Sequence, residues 1–124
     1  MGLFSFGKST SGETLRWEQL TSEEALNHWI NASHDQPLLL FKHSTRCSIS
    51  SMALSRLESK WDLKLDELTP VYLDLIQYRS VSNKIADILN VTHQSPQVLL
   101  LRNGKCIYHA SHNQIDVEAI KENL

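Results

Sequence analysis

Two sulfur nucleophiles are available in this sequence of 124 residues, Cys47 and Cys106. Cys47 sits in Phe41-Lys42-His43-Ser44-Thr45-Arg46-Cys47-Ser48-Ile49-Ser50, between an apolar run that reads as a strand and a segment with helical periodicity. At a helix start, unpaired backbone N–H groups and the positive end of the helix dipole favour a thiolate over a thiol, and the neighbouring Arg46 adds to this. The chemistry implied is thiol–disulfide exchange, in which a thiolate attacks one sulfur of a disulfide and forms a mixed disulfide. A buried cysteine acting as a small hydrophobe is the competing reading. The polar neighbours Ser44, Thr45, Arg46 and Ser48 favour a partly open turn instead.

Ser50 stands three residues after Cys47, where a dithiol enzyme would place its resolving cysteine. A hydroxyl cannot break a disulfide, so the spacing implies a one-thiol cycle. An external thiol or a reductase must attack the enzyme-bound sulfur to regenerate Cys47. Ser50 is open to three roles: a hydrogen bond to the thiolate, a helix cap, or a solvent-facing side chain. His43 could tune the site or shuttle a proton, and it could equally mark the polar end of the strand; the sequence assigns no acidic residue to orient it.

A second segment, His93-Gln94-Ser95-Pro96, precedes a hairpin. A cis Ser95–Pro96 bond there would bring loop backbone against the turn bearing Cys47 and could align an incoming disulfide. Arg46 could also attract acidic groups of a small-thiol substrate, with Lys42 and Arg79 as weaker candidates. Cys106 falls on a predicted strand, where packing is the default; use as a distant resolving thiol depends on geometry. His28, His34, His43, His93, His109 and His112 are scattered over different elements and form no metal motif. Gly2, Gly7, Gly12 and Gly104 give no phosphate-loop or dinucleotide spacing. Trp17, Trp29 and Trp61 read as packing residues.

The elements that must position Cys47 follow from hydrophobic periodicity. Thr21 is expected to cap a helix with Glu24 completing a capping box, Leu20 packing near Ala25, and Ala25, Trp29 and Ile30 sharing a face. Leu38 to Lys42 reads as a strand covered on both faces, because its apolar run is unbroken. From Ser48, the residues Ile49, Met52, Ala53, Leu57 and Trp61 recur at helical spacing. Pro70 to Leu75 reads as a strand opened by proline. Ser80 or Ser82 is expected to begin a helix that buries Val81, Ile85, Ile88 and Leu89. Gln97–Leu101 and Lys105–Tyr108 flank Asn103-Gly104 as a tight hairpin. Asn113 is expected to cap a last helix containing Val117, Ala119 and Ile120.

That order gives two parallel crossovers, then an antiparallel pair packed by a final helix. The expected fold is α/β, a central mixed sheet flanked by helices on both faces. The length fits a single domain, residues 15–124, after a loose tail of residues 1–14. A hydrophobic fraction of 41% and a charged fraction of 21% suit a folded core and exclude global disorder. A net charge of -2 without runs of one sign offers no general attraction to nucleic acid or anionic lipid. The longest strongly apolar segment, Leu38–Phe41, is far short of a bilayer span, and residues 1–7 are too short for a signal-peptide core. A cytoplasmic location is expected.

The combination resembles the thioredoxin-like fold over nearly all of residues 17–124. More narrowly, the stretch from Phe41 to Ser50, with Ser95-Pro96 downstream, is similar to the monothiol bacilliredoxin (YtxJ-like) family. The resemblance implies an enzyme that removes bacillithiol from mixed disulfides on other proteins during oxidative stress, Cys47 accepting the small thiol. It implies bacillithiol as co-substrate without a tightly bound cofactor, bacillithiolated proteins as partners, and a small thiol or a reductase for recycling. Thr45, Arg46, Ser48, Ser50, Ser95 and Pro96 would support the site or bind substrate. The family usually places proline directly after the nucleophilic cysteine, where this chain has Ser48. Alternatives are a glutathione-type monothiol redoxin, a cluster carrier of the monothiol glutaredoxin type, whose Cys-Gly-Phe-Ser stretch is missing here, and a non-catalytic thioredoxin-like binding module.

Overall fold

The computed structural model describes residues 15–64 and 66–124; the expected tail, residues 1–14, lies outside them. The chain runs β1 (Glu18–Gln19), α1 (Glu23–Ala32), β2 (Leu38–His43), α2 (Ser48–Lys60), β3 (Thr69–Asp74), α3 (Arg79–Leu89), β4 (Gln97–Arg102), β5 (Lys105–Ser111), a 3-10 turn (His112–Gln114) and α4 (Val117–Glu122). The five strands form one mixed sheet in the order β1-β3-β2-β4-β5. β1 and β2 pair parallel to β3, whereas β4 pairs antiparallel to β2 and to β5.

β2 is central and buried from end to end. Its alternation divides the core in two. Leu39 and Phe41 join Ala53 and Leu57 of α2 and Val117 and Ile120 of α4 on one face. Leu38 and Leu40 join Leu26 of α1 and Val81 and Ile85 of α3 on the other. The expected α/β architecture with helices on both faces is the one observed. None of the described helices is long and apolar enough to cross a membrane.

Local chemistry corrects several sequence expectations. Ser22, not Thr21, caps α1: its backbone is extended and its Oγ accepts the Ala25 N–H at 3.0 Å. With the cap one residue later, Ala25 occupies the position where Glu24 would have completed a capping box. In α2 the buried stripe is Ser50, Ala53 and Leu57, so Ile49 and Met52 turn outward, 56% and 65% exposed. β3 begins at Thr69, with Pro70 second; β1 is in register only from Val71, so the missing proline N–H forfeits no ladder bond on that side.

Neither Ser80 nor Ser82 caps α3. The helix starts earlier, at Arg79, because Asp74 Oδ1 accepts the Ile76 and Gln77 N–H groups and turns the chain at the end of β3. Ser82 is buried inside the helix, and Ile88 is exposed. Asp116, not Asn113, caps α4 by accepting the Ala119 N–H at 3.2 Å; Asn113 lies in the 3-10 turn. The strand β1 was not expected, since two residues are too few to display alternation. Its place at the edge is held by a bond from the Leu20 N–H to the Tyr72 carbonyl, 2.9 Å. The Asn103-Gly104 hairpin forms as expected, with φ of 56° and 77°.

Candidate active site

β2 delivers His43 and Ser44 to the C-terminal edge of the sheet, and four residues later the chain has become α2. The Cys47 N–H donates to the Ser44 carbonyl at 3.2 Å and closes the turn. The Cys47 carbonyl accepts the Ser51 N–H at 3.1 Å, the first bond of the helix. Cys47 is therefore the N-cap residue of α2, with extended backbone and no side-chain capping bond. Its thiol is free, and the residue is partly exposed. The first helical N–H groups lack partners within the helix. Thr45, Arg46 and Ser48 are exposed around it.

Ser50 turns the other way. It is fully buried, so the solvent-facing alternative does not apply. Its Oγ accepts the Ser44 N–H at 3.1 Å and stands 2.7 Å from His43 Nδ1. The serine thereby ties the end of β2 to the first turn of α2 and holds the turn bearing Cys47 from beneath. His43 is 5% exposed, with its ring 5.9 Å from Phe41 and 5.5 Å from Tyr72. Burial pushes its pKa below the ordinary histidine value, against the opposing pull of Asp74 and Glu58; the imidazole is neutral near pH 7.

Ser95–Pro96 is a cis peptide, as the sequence expectation had it. The antiparallel register sets Gln97 opposite Lys42, so the preceding residues Ser95 and Pro96 run beside the end of β2 that leads to Cys47. The Pro96 carbonyl accepts the His112 N–H at 3.1 Å, anchoring the loop to the end of β5. Gln97, also buried, donates to the Thr92 carbonyl at 3.0 Å and accepts the Gln94 N–H at 3.3 Å. Ser95 Oγ is buried and has no hydrogen-bond partner among the described residues.

Cys106 lies elsewhere. It faces Leu101 across the β4–β5 ladder, and Leu101 faces Leu38, the first residue of β2. It is thus at the opposite end of the sheet from Cys47. Its thiol donates to the Tyr108 carbonyl at 3.3 Å, and burial raises its pKa.

A family model, that of the monothiol bacilliredoxin BrxC, matches residues 18–120. The chain belongs to this family. Among solved structures, the chain is similar to a thioredoxin-fold protein described as a candidate oxidoreductase, at 28% identity and a TM-score of 0.72, covering 86% of this chain and 91% of the other. It also resembles the thioredoxin of Trypanosoma brucei brucei, at 12% identity and a TM-score of 0.70, with 94% of each chain covered. For thioredoxin f from spinach chloroplast the figures are 14% and 0.69, with 91% and 90% covered. The last two likenesses are of fold. The fold is thioredoxin-like, and family and fold make the chain a monothiol redox protein.

Two features of the candidate site depart from the sequence reading. Lys42, read from sequence as a weaker candidate for attracting acidic groups of a substrate, is fully buried instead and so closed to that role, its Nζ 3.3 Å from His93 Nδ1. The signal was present: a lysine following four apolar residues in a strand read as covered on both faces must either be buried or end the strand. Ile49 and Met52 form an exposed apolar lip on the part of α2 that follows Cys47, because the helix buries Ser50, Ala53 and Leu57 instead.

Proposed function

We propose that this bacilliredoxin is a monothiol thiol–disulfide exchange enzyme that strips bacillithiol from proteins. The Cys47 thiolate attacks the bacillithiol sulfur of a protein mixed disulfide. A new S–S bond forms between Cys47 and bacillithiol, the old one breaks, and the protein cysteine leaves as a thiolate and takes up a proton. A second low-molecular-weight thiol or a reductase then attacks the adduct and returns Cys47 to the thiolate.

The observation that carries this reading is the placement of Cys47 as the N-cap residue of α2, partly exposed and with no side-chain capping bond, while the position of a resolving thiol is filled by a buried serine. Exposed Arg46 offers a cation to an acidic small thiol, and Thr45, Ser48 and the Ser95–Pro96 loop line the approach. Ile49 and Met52 supply apolar surface for a protein substrate. No tightly bound cofactor takes part. Working in the cytoplasm, such an enzyme would restore protein thiols after oxidative stress.

Incubation with bacillithiol disulfide, followed by intact-mass and peptide mapping, is expected to add one bacillithiol at Cys47. Parallel kinetics with bacillithiol and glutathione mixed disulfides of one peptide should favour bacillithiol; equal rates would leave a general monothiol redoxin. Transfer that persists undiminished in Cys47→Ala would overturn the mechanism.

A further inference from the structure

β2 carries a cation where the fold offers it almost nothing. Lys42 is 0% exposed and points to the face covered by α1 and α3, opposite to Phe41 and His43. Its Nζ lies 3.3 Å from His93 Nδ1, and Ser82 Oγ of α3 lies 3.4 Å from the same nitrogen. Its neighbours on the flanking strands, Leu73 and Gln97, are uncharged. Among the described residues no carboxylate forms an ion pair with it. The other charged group acting on His93 is Arg79, in the first turn of α3.

This arrangement fixes the histidine. An ammonium can only donate, so His93 Nδ1 must accept and the ring proton must sit on Nε2. With Nδ1 aimed inward at Lys42, Nε2 lies on the outer side of the ring. His93 is exposed and belongs to the loop that leads into Ser95–Pro96, beside the end of β2 that carries the chain to Cys47.

We propose that Lys42 and His93 form a proton relay for the departing sulfur: His93 Nε2–H protonates the thiolate released when Cys47 attacks a mixed disulfide, and Nδ1 takes a proton from the Lys42 ammonium. The proposal rests on the exchange reading above. The electron pair of the broken S–S bond stays on the leaving sulfur and is neutralised by the Nε2 proton. Lys42 is left as a neutral amine and His93 as the opposite tautomer. Solvent then protonates Nε2, and the Nδ1 proton returns to Lys42. His93 is the catalytic acid and Lys42 a positioning residue behind it.

The energetics agree with the geometry. Burial lowers the Lys42 pKa to about 8, close to the value of about 8.5 of an ordinary cysteine thiol, so the transfer is nearly balanced. Partial burial, Lys42 and Arg79 lower the His93 pKa, keeping the ring neutral beside a protonated lysine.

The test compares a peptide–bacillithiol mixed disulfide, whose leaving thiolate needs a proton, with an activated disulfide that releases thionitrobenzoate, which needs none. In His93→Ala and in Lys42→Met, the ratio of the first rate to the second should fall about tenfold at neutral pH. In the unaltered protein the same ratio should fall as pH rises through about 8 and Lys42 loses its proton. Nitrogen NMR should find the His93 proton on Nε2, and both tautomers once Lys42 is replaced by Met. An unchanged ratio in His93→Ala would overturn the relay while leaving Cys47 chemistry intact. A Cys47 inert towards both substrates would overturn the exchange reading itself.

Discussion

Ser50 Oγ and His43 Nδ1 stand 2.7 Å apart beneath the turn that presents Cys47. The bond joins the last residue of β2 to the first turn of α2, and the same oxygen accepts the Ser44 N–H. The serine at the resolving position is thus the tie that holds strand and helix together, and its removal should register in stability before chemistry.

Ser50→Ala leaves the Ser44 N–H and the His43 ring nitrogen buried without this partner. Each such loss costs about 1–3 kcal/mol, so the variant should be less stable by about 2–4 kcal/mol in urea titration, with its melting temperature lower by roughly 10 °C or more. A change within about 0.5 kcal/mol, the range of surface substitutions, would mean that the hydroxyl does not bridge the two elements in solution.

The sheet register separates the two cysteines. Cys106 is level with Leu38 through Leu101, while Cys47 follows His43 at the other end of β2. At about 3.3 Å per residue the ends of β2 are roughly 17 Å apart, and a disulfide needs Cα atoms within about 7 Å. Cys106→Ser should therefore leave the exchange rate unchanged, and oxidation should give no Cys47–Cys106 bridge within the folded chain. A bridge found by peptide mapping under native conditions would contradict this register.

Lys42 costs stability. Its pKa of about 8 lies below the ordinary 10.5, so between these values the unfolded chain binds more protons than the folded one. Stability from this residue therefore rises with pH across that window, and below it both states are protonated and the burial cost is carried in full. The gap corresponds to about 3 kcal/mol. Lys42→Met fills the same volume without a charge and should stabilise the protein by about 1–3 kcal/mol near pH 7, with the alkaline rise removed. Chemical denaturation from neutral pH to pH 10 reads both effects. A destabilised variant would indicate that His93 and Ser82 compensate the charge more fully than the geometry implies.

Much of this was legible from the residues. The unbroken run into Lys42 identified a strand covered on both faces, and Asn103-Gly104 fixed the hairpin through its positive φ angles. Cys47 fell at the strand-to-helix junction, and the Ser95–Pro96 bond is cis as read. What escaped depended on rotation and reach. The stripe of α2 contains Ile49, Met52, Ala53 and Leu57 on paper, yet burying Ser50 against His43 and Ser44 turns Ile49 and Met52 outward. That choice rests on a hydrogen bond between residues seven apart, which periodicity does not encode. The contact of Lys42 with His93 joins residues separated by 51 positions and exists only after β4 has docked against β2.

Ser48 is the first helical residue of α2, in the position that the bacilliredoxin family usually gives to proline. Proline is well suited there: its fixed φ matches the first turn, and the N–H it lacks has no partner within the helix. Serine leaves the unfolded chain more freedom and keeps that N–H. Ser48→Pro should thus stabilise the protein by about 0.4–1 kcal/mol through the unfolded state, measured as a higher denaturation midpoint at an unchanged slope. A loss of stability would mean that the Ser48 N–H is already committed to a hydrogen bond at the turn, which would make it part of the cradle around the Cys47 sulfur.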